Sequence, residues 1–212
     1  TLSRQAALGQ WRDFQDRVAL GVRMHLIVTL PAAAGLILLN EPIVRLLFQR
    51  GAFDDRSTAM TAGALAWYAL GLVFYGLYYL LINVFYALQN TVIRVQAGLV
   101  LVGVYVAGNL ALMGTMGANG IALSYGLAHV AACVLLLARL GAHLTWRVER
   151  QVAGFAARVL AATAAMSVVV VALRSWVEAA EQWGEPLWMA LATLGTIAAG
   201  ALVYLAALWL LR

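Results

Sequence analysis

Residues Leu65–Leu88 read LAWYALGLVFYGLYYLLINVFYAL and carry no charged side chain. A helix needs about 20 mainly apolar residues to cross the hydrocarbon core of a bilayer, and this run is long enough. Working outward, five further runs qualify, at about 22–39, 95–113, 121–140, 154–173 and 187–211. The first and fifth are less strongly apolar, so their ends are soft. No segment alternates with the period of two that a strand requires, and lipid leaves every backbone polar group to be satisfied within the chain. The expected fold class is therefore all-α, a polytopic membrane helix bundle with six transmembrane helices. Turn chemistry separates the runs, in GTMGANG at Gly114–Gly120 and EQWGEP at Glu181–Pro186.

Composition agrees. Of the 212 residues 64% are hydrophobic and 11% charged, with mean hydropathy +0.88; soluble domains carry about 25% charged residues. The net charge of +5 comes from arginine alone, since lysine is absent. These arginines are scattered between apolar blocks and form no basic stripe, which argues against nucleic-acid binding. Cys133 is the single cysteine, so a disulfide framework and a thiolate metal site are both excluded, and a packing role is expected. His25, His129 and His143 lie far apart and assemble no Ser/His/Asp set. GTMGANG lacks the Lys-Ser/Thr that a phosphate loop needs. No enzyme chemistry, metal or cofactor is expected. The opening TLSRQAALG has no Met and no signal segment, and reads as part of something longer.

Orientation follows from arginine bias. With the N-terminus cytoplasmic, Arg4, Arg12, Arg17, Arg23, Arg94, Arg139, Arg147, Arg150, Arg158 and Arg212 fall inside, against Arg45, Arg50, Arg56 and Arg174 outside. The carboxylates lean the other way. Both termini are expected on the cytoplasmic side.

That places NEPIVRLLFQRGAFDDRST, Asn40–Thr58, on the outer face between the first two spans. Asn40 can cap a short helix with Pro42 in its first turn. Ile43, Leu46, Leu47 and Arg50 then share a helical spacing, which suits an interfacial helix over about 41–50. Gly51 would end it and Asp54 or Asp55 begin the next. Two readings stand side by side. One is a solvated connector; the other is an anchored element in which Phe48 and Phe53 are buried and Arg45 and Arg50 meet headgroups. The spacing also permits an Arg50–Asp54 ion pair.

Polar side chains at membrane depth need partners. Tyr75, Tyr79, Tyr86 and Gln89 fall within about 80° of one helical face, with Asn83 on its edge; they either line a cavity or bond neighbouring helices. Asn109 and Ser124 should sit at one depth, suited to an interhelical hydrogen bond or a ligand site. His129 is either a proton relay or a neutral ring bonded to a backbone or hydroxyl group. Thr163 and Ser167 can bond back to their own helix. The small pairs Gly103/Ala107, Ala161/Ala165 and Thr196/Gly200 would let helices approach closely.

The run EPIVRLLFQRGAFDD, followed by TAGALAWYALGLVFYGLYYLLINVFYALQNT, resembles the MurJ/MviN family of lipid II flippases, a branch of the multidrug/oligosaccharidyl-lipid/polysaccharide exporter superfamily. The resemblance covers roughly residues 1–140 by motif, including Leu2–Gly9, and the last two spans by position and hydropathy. It implies a two-lobe transporter of the bacterial inner membrane, of which this chain supplies the last six helices of the second lobe. The implied activity is alternating-access movement of a lipid-linked peptidoglycan precursor from the inner to the outer leaflet. The implied partners are that lipid, membrane lipids, an N-terminal lobe and proteins of cell-wall synthesis. The family's cationic cluster for the pyrophosphate lies upstream, so no arginine here inherits that role. Its last two helices form an apolar groove for the polyprenyl tail. Departures are clear: the family's Asp-Thr-x-Thr-Pro turn is Asn90-Thr91-Val92-Ile93-Arg94 here. Tyr105 also replaces the first of an amide pair whose second member is Asn109. Export of another polyprenyl-linked oligosaccharide or of drugs, and a non-transporting scaffold, are the alternatives.

Overall fold

The computed structural model describes residues 10–141, 146–182 and 186–211. The elements are α1 (Trp11–Leu38), α2 (Asn40–Phe48), α3 (Asp55–Ala87), α4 (Thr91–Met116), α5 (Ala118–Gly141), α6 (Trp146–Gln182) and α7 (Pro186–Leu210). Among the described residues there is no strand, and all these helices except α2 are long and apolar enough to cross a membrane. The opening Leu2–Gly9, His143 and the turn at 183–185 lie outside the described residues.

Helices outrun the apolar windows where an amphipathic turn continues them. α1 starts at Trp11 rather than near residue 22, because Phe14, Gln15, Val18 and Ala19 form a buried stripe among the charged Arg12, Asp13, Asp16 and Arg17. Hydropathy averaged over a window misses such a stripe. Conversely, α4 leaves Val95, Leu99, Val102, Val106 and Leu110 exposed along one side, the face an apolar span turns to lipid.

Two compact units divide the chain. One gathers α1 up to Thr29 with Gly71–Ala157; the other gathers Leu30–Leu70 with α6 from Arg158 and α7. In the first unit Phe14 and Val18 of α1 pack with Val84 and Phe85 of α3 and with Leu136 and Leu140 of α5. The α4–α5 hairpin turns at Gly117, whose φ of +56° would strain an L side chain and whose N–H closes α4 on Met113 O at 2.9 Å. At the α3–α4 corner Asn90 Oδ1 accepts Ile93 N–H at 3.1 Å, so the amide caps α4. Gln89 makes this corner with φ +54°.

In the second unit α2 buries Pro42 and Val44. Its start differs from expectation. Leu39 is the capping position and makes no side-chain cap, while Asn40 is already helical and its Oδ1 takes the Glu41 N–H at 2.7 Å. α1 and α2 follow each other almost without a break, leaving no extended residue from which Asn40 could reach forward. α3 does have a side-chain cap, at Asp54, whose Oδ1 accepts Ser57 N–H at 2.8 Å. α2 itself stops at Phe48, and Gly51 sits in the turn beyond it at φ +61°.

Candidate functional site

Three places bring polar or cavity-forming groups together. The first is the face of α3 carrying Tyr75, Tyr79, Asn83 and Tyr86, all exposed. Tyr75 and Tyr79 stack edge to face with centroids 4.9 Å apart, a favoured aromatic geometry. Asn83 Nδ2 donates to Tyr79 O at 2.9 Å, a bond within its own helix. Tyr86 lies under the Arg94 guanidinium, 3.5 Å from its ring centroid, and Arg94 Nη2 also donates to Thr91 Oγ1 at 2.9 Å. That stacked cation was not foreseen, although Arg94 stands where the resemblance implies a proline.

His129 adjoins this face but is packed, only 4% exposed. Its Nδ1 donates to Tyr125 O at 2.8 Å, which fixes the other nitrogen as the one free to accept in the neutral ring. Rings of Tyr125, Tyr75 and Tyr78 surround it at 4.3, 5.3 and 5.6 Å. The backbone partner belongs to its own helix, one turn earlier. Ser124 is buried as well, and the expected Asn109–Ser124 bond is not formed. Ser124 Oγ donates to Gly120 O at 2.7 Å within its own helix, while Asn109 Oδ1 is buried with no partner among the described residues. The Ser124 side chain is pressed against Gly108, where a Cβ would come within 2.8 Å of its Oγ. Close backbone packing has taken the space a side-chain bridge needs. Thr163 and Ser167 do bond back, to Val159 O and Thr163 O at 2.8 Å each.

The second place is a cavity of about 500 Å³ in the second unit. Pro31, Gly35 and Leu36 of α1, Leu39 at the α1–α2 junction, Ile43 of α2, Met166 and Val170 of α6, and Ile197, Gly200 and Tyr204 of α7 line it. The lining is apolar except for the Tyr204 hydroxyl. Of the small pairs, Thr196/Gly200 serves close approach: a Cβ at Gly200 would lie 2.9 Å from Val170 Cγ2. Among the described residues the other two do not. Gly103 has no neighbour within 4 Å, and Ala161 and Ala165 are exposed while Ala162 and Met166 point inward. Helical phase, one residue off in α6, decides which small residues face a neighbour.

The third place is the α2–α3 turn. Arg45, not Arg50, is its ionic centre: Arg45 Nη2 is 2.9 Å from Glu41 Oε1 and 3.9 Å from Asp55 Oδ1. Gln49 Nε2 adds a 2.7 Å bond to Asp55 Oδ1. The Arg50–Asp54 pair is not formed, because Asp54 is turned to the start of α3, where the Ser57 N–H holds its carboxyl below the usual carboxylate range. Arg50 is exposed. Phe48 and Phe53 do meet, with centroids 6.0 Å apart, but Phe48 remains 54% exposed.

Among the described residues no group of His, Cys, Asp and Glu could hold a metal ion. The polar groups are tyrosines, amides and a stacked arginine, suited to binding and to helix contact.

A sequence model described as "Lipid II flippase MurJ" matches residues 1–191. The chain is 33% identical over 204 residues to the "Probable lipid II flippase MurJ" of Rhizobium meliloti, covering 96% of this chain and 38% of that protein. It is 30% identical over 128 residues to that of Thermotoga maritima, covering 60% of this chain and 27% of the relative. A solved structure of "Lipid II flippase MurJ, inward closed conformation" superposes with TM-score 0.76 at 23% identity, over 97% of this chain and 40% of that one; this is likeness of fold. The chain thus spans well under half the length of these relatives, and with its six apolar spans it belongs to the MurJ family of lipid II flippases, multi-pass membrane proteins.

Proposed function

We propose that the chain is the C-terminal part of a flippase that carries lipid II, the lipid-linked peptidoglycan precursor, from the inner to the outer leaflet of the bacterial cytoplasmic membrane. Transport runs by alternating access, with an N-terminal lobe supplying the charge that grips the pyrophosphate. Both termini face the cytoplasm, as the ten-to-four arginine split supports. The chain performs no covalent step. The observation that carries the reading is the apolar cavity of about 500 Å³ between α1, α2, α6 and α7: a polyprenyl tail is a long apolar chain that offers no hydrogen bond and asks for none. The exposed tyrosine face of α3 is assigned to the transport path.

Filling the cavity tests this. Ala201, on its α7 wall, is exposed enough to accept a larger side chain without rebuilding the packed interior. In bacteria depleted of their own flippase, the full-length protein should support growth, and Ala201→Trp should support it poorly at equal membrane level. Equal growth with the two would remove the cavity from the transport account.

A further inference from the structure

Val73 and Phe74, adjacent in the middle of α3, each carry a carbonyl that a neighbouring helix also uses. In a regular helix these oxygens accept from the Leu77 and Tyr78 N–H groups. Here His25 Nε2 of α1 donates to Val73 O at 2.8 Å, and Cys133 Sγ of α5 donates to Phe74 O at 3.3 Å. Glycines make both approaches possible. The His25 ring occupies the place where a Gly76 side chain would start: a Cβ there would fall 2.8 Å from Nδ1 and 3.1 Å from Nε2, and closer still to Cε1. On the α5 side, a Cβ at Gly71 would lie 2.9 Å from Gly126 Cα.

A carbonyl shared with a side-chain donor loosens its helical bond, and glycine weakens a helix further; helices kink where the two coincide. Gly71–Gly76 is such a stretch within the 33 residues of α3. Tyr75 lies inside it and Tyr79 one turn beyond.

We propose that His25 is a positioning residue: its imidazole, keyed onto Gly76 and bonded to Val73 O, latches a hinge in α3 at Gly71–Gly76 and so sets where the Tyr75–Tyr79 pair points. This rests on the flippase reading for the step it serves, but not for its geometry. Val73 O can only accept, so Nε2 is the donor in this bond.

The test uses the full-length protein in lipid nanodiscs and proteoliposomes. Gly76→Ala should lower the unfolding temperature sharply, since the methyl and the imidazole claim one space. Adding His25→Ala should restore that temperature but leave lipid II transport roughly tenfold below wild type, as expected when a hinge is lost. His25→Gln, which keeps an N–H donor, should transport better than His25→Ala. Recovery of transport together with stability in the double variant would reduce the pair to packing and overturn the latch. So would a Gly76→Ala protein as stable as wild type. Hydrogen exchange at Leu77, whose N–H pairs with Val73 O, needs no cargo: with that carbonyl no longer shared it should slow in His25→Ala and return in His25→Gln. Should the wild type move no lipid II, the cargo reading fails, and unchanged exchange at Leu77 in His25→Ala would then dispose of the latch separately.

Discussion

Exchange of Phe48 and Phe53 for alanine should cost this protein more than the loss of Arg50, although Arg50 is the most conspicuous charge in the outer motif. The ring pair, with centroids 6.0 Å apart, is worth about 0.5–1.5 kcal/mol beyond simple area burial. If the exposed side of Phe48 sits in the interface, truncation also gives up part of the roughly 1.5–3 kcal/mol per side chain that removal from water contributes. Arg45 comes next: its 2.9 Å pair with Glu41 is half open, at 26% and 43% side-chain exposure, so about 0–1 kcal/mol is at stake. Arg50 is exposed and pairs with no carboxylate among the described residues, which puts Arg50→Gln within about 0.5 kcal/mol of wild type. The assay is reversible unfolding of the full-length protein in mixed micelles by increasing denaturing detergent. The order should be Phe48→Ala/Phe53→Ala, then Arg45→Gln, then Arg50→Gln. A double phenylalanine variant as stable as wild type, beside an Arg50→Gln that unfolds early or loses transport, would refute the anchor and make Arg50 a contact to cargo or lipid.

The capping carboxylate at Asp54 gives a pH dependence of known sign. Its pKa is lowered below 3.8 by the Ser57 N–H bond, so its contribution to the start of α3 is present above the unfolded value and disappears as pH falls through the folded one; Ser57 amide exchange should lose protection only in that acid window, and Asp54→Asn should abolish the dependence. Orientation is tested in a Cys133→Ala background: Ala52→Cys should react with an impermeant thiol reagent added outside intact cells, and Gln89→Cys should not. Labelling of Gln89→Cys alone would invert the topology.

Spans and class were legible because lipid imposes one requirement on every residue, and a run such as Leu65–Leu88 meets it without reference to anything else. Local hydrogen bonds were legible for the same reason: Thr163 and Ser167 reach carbonyls of their own helix, at a spacing the helix fixes. Contacts between helices were not. Ser124 turned from Asn109 because Gly108 brought two backbones together, and Ala162 rather than Ala161 faces inward because of the phase of α6. Nothing in the order of residues announces that His25 rests on Gly76, since 51 positions separate them and only the crossing of α1 with α3 makes them neighbours. Phe14 and Val18 were lost to averaging among their charged neighbours. Arg45 was overlooked as the ionic centre of the outer turn because its second partner, Asp55, belongs to the next helix.

Transport itself is the most direct test of the central claim. The full-length protein, purified and reconstituted into liposomes with lipid II, should bring the lipid to the opposite leaflet faster than empty vesicles do. An unlabelled excess of lipid II should compete, and a phospholipid should not. Movement of other polyprenyl-linked lipids with lipid II left in place, or no movement above empty vesicles, would contradict the assignment of this chain to a lipid II flippase.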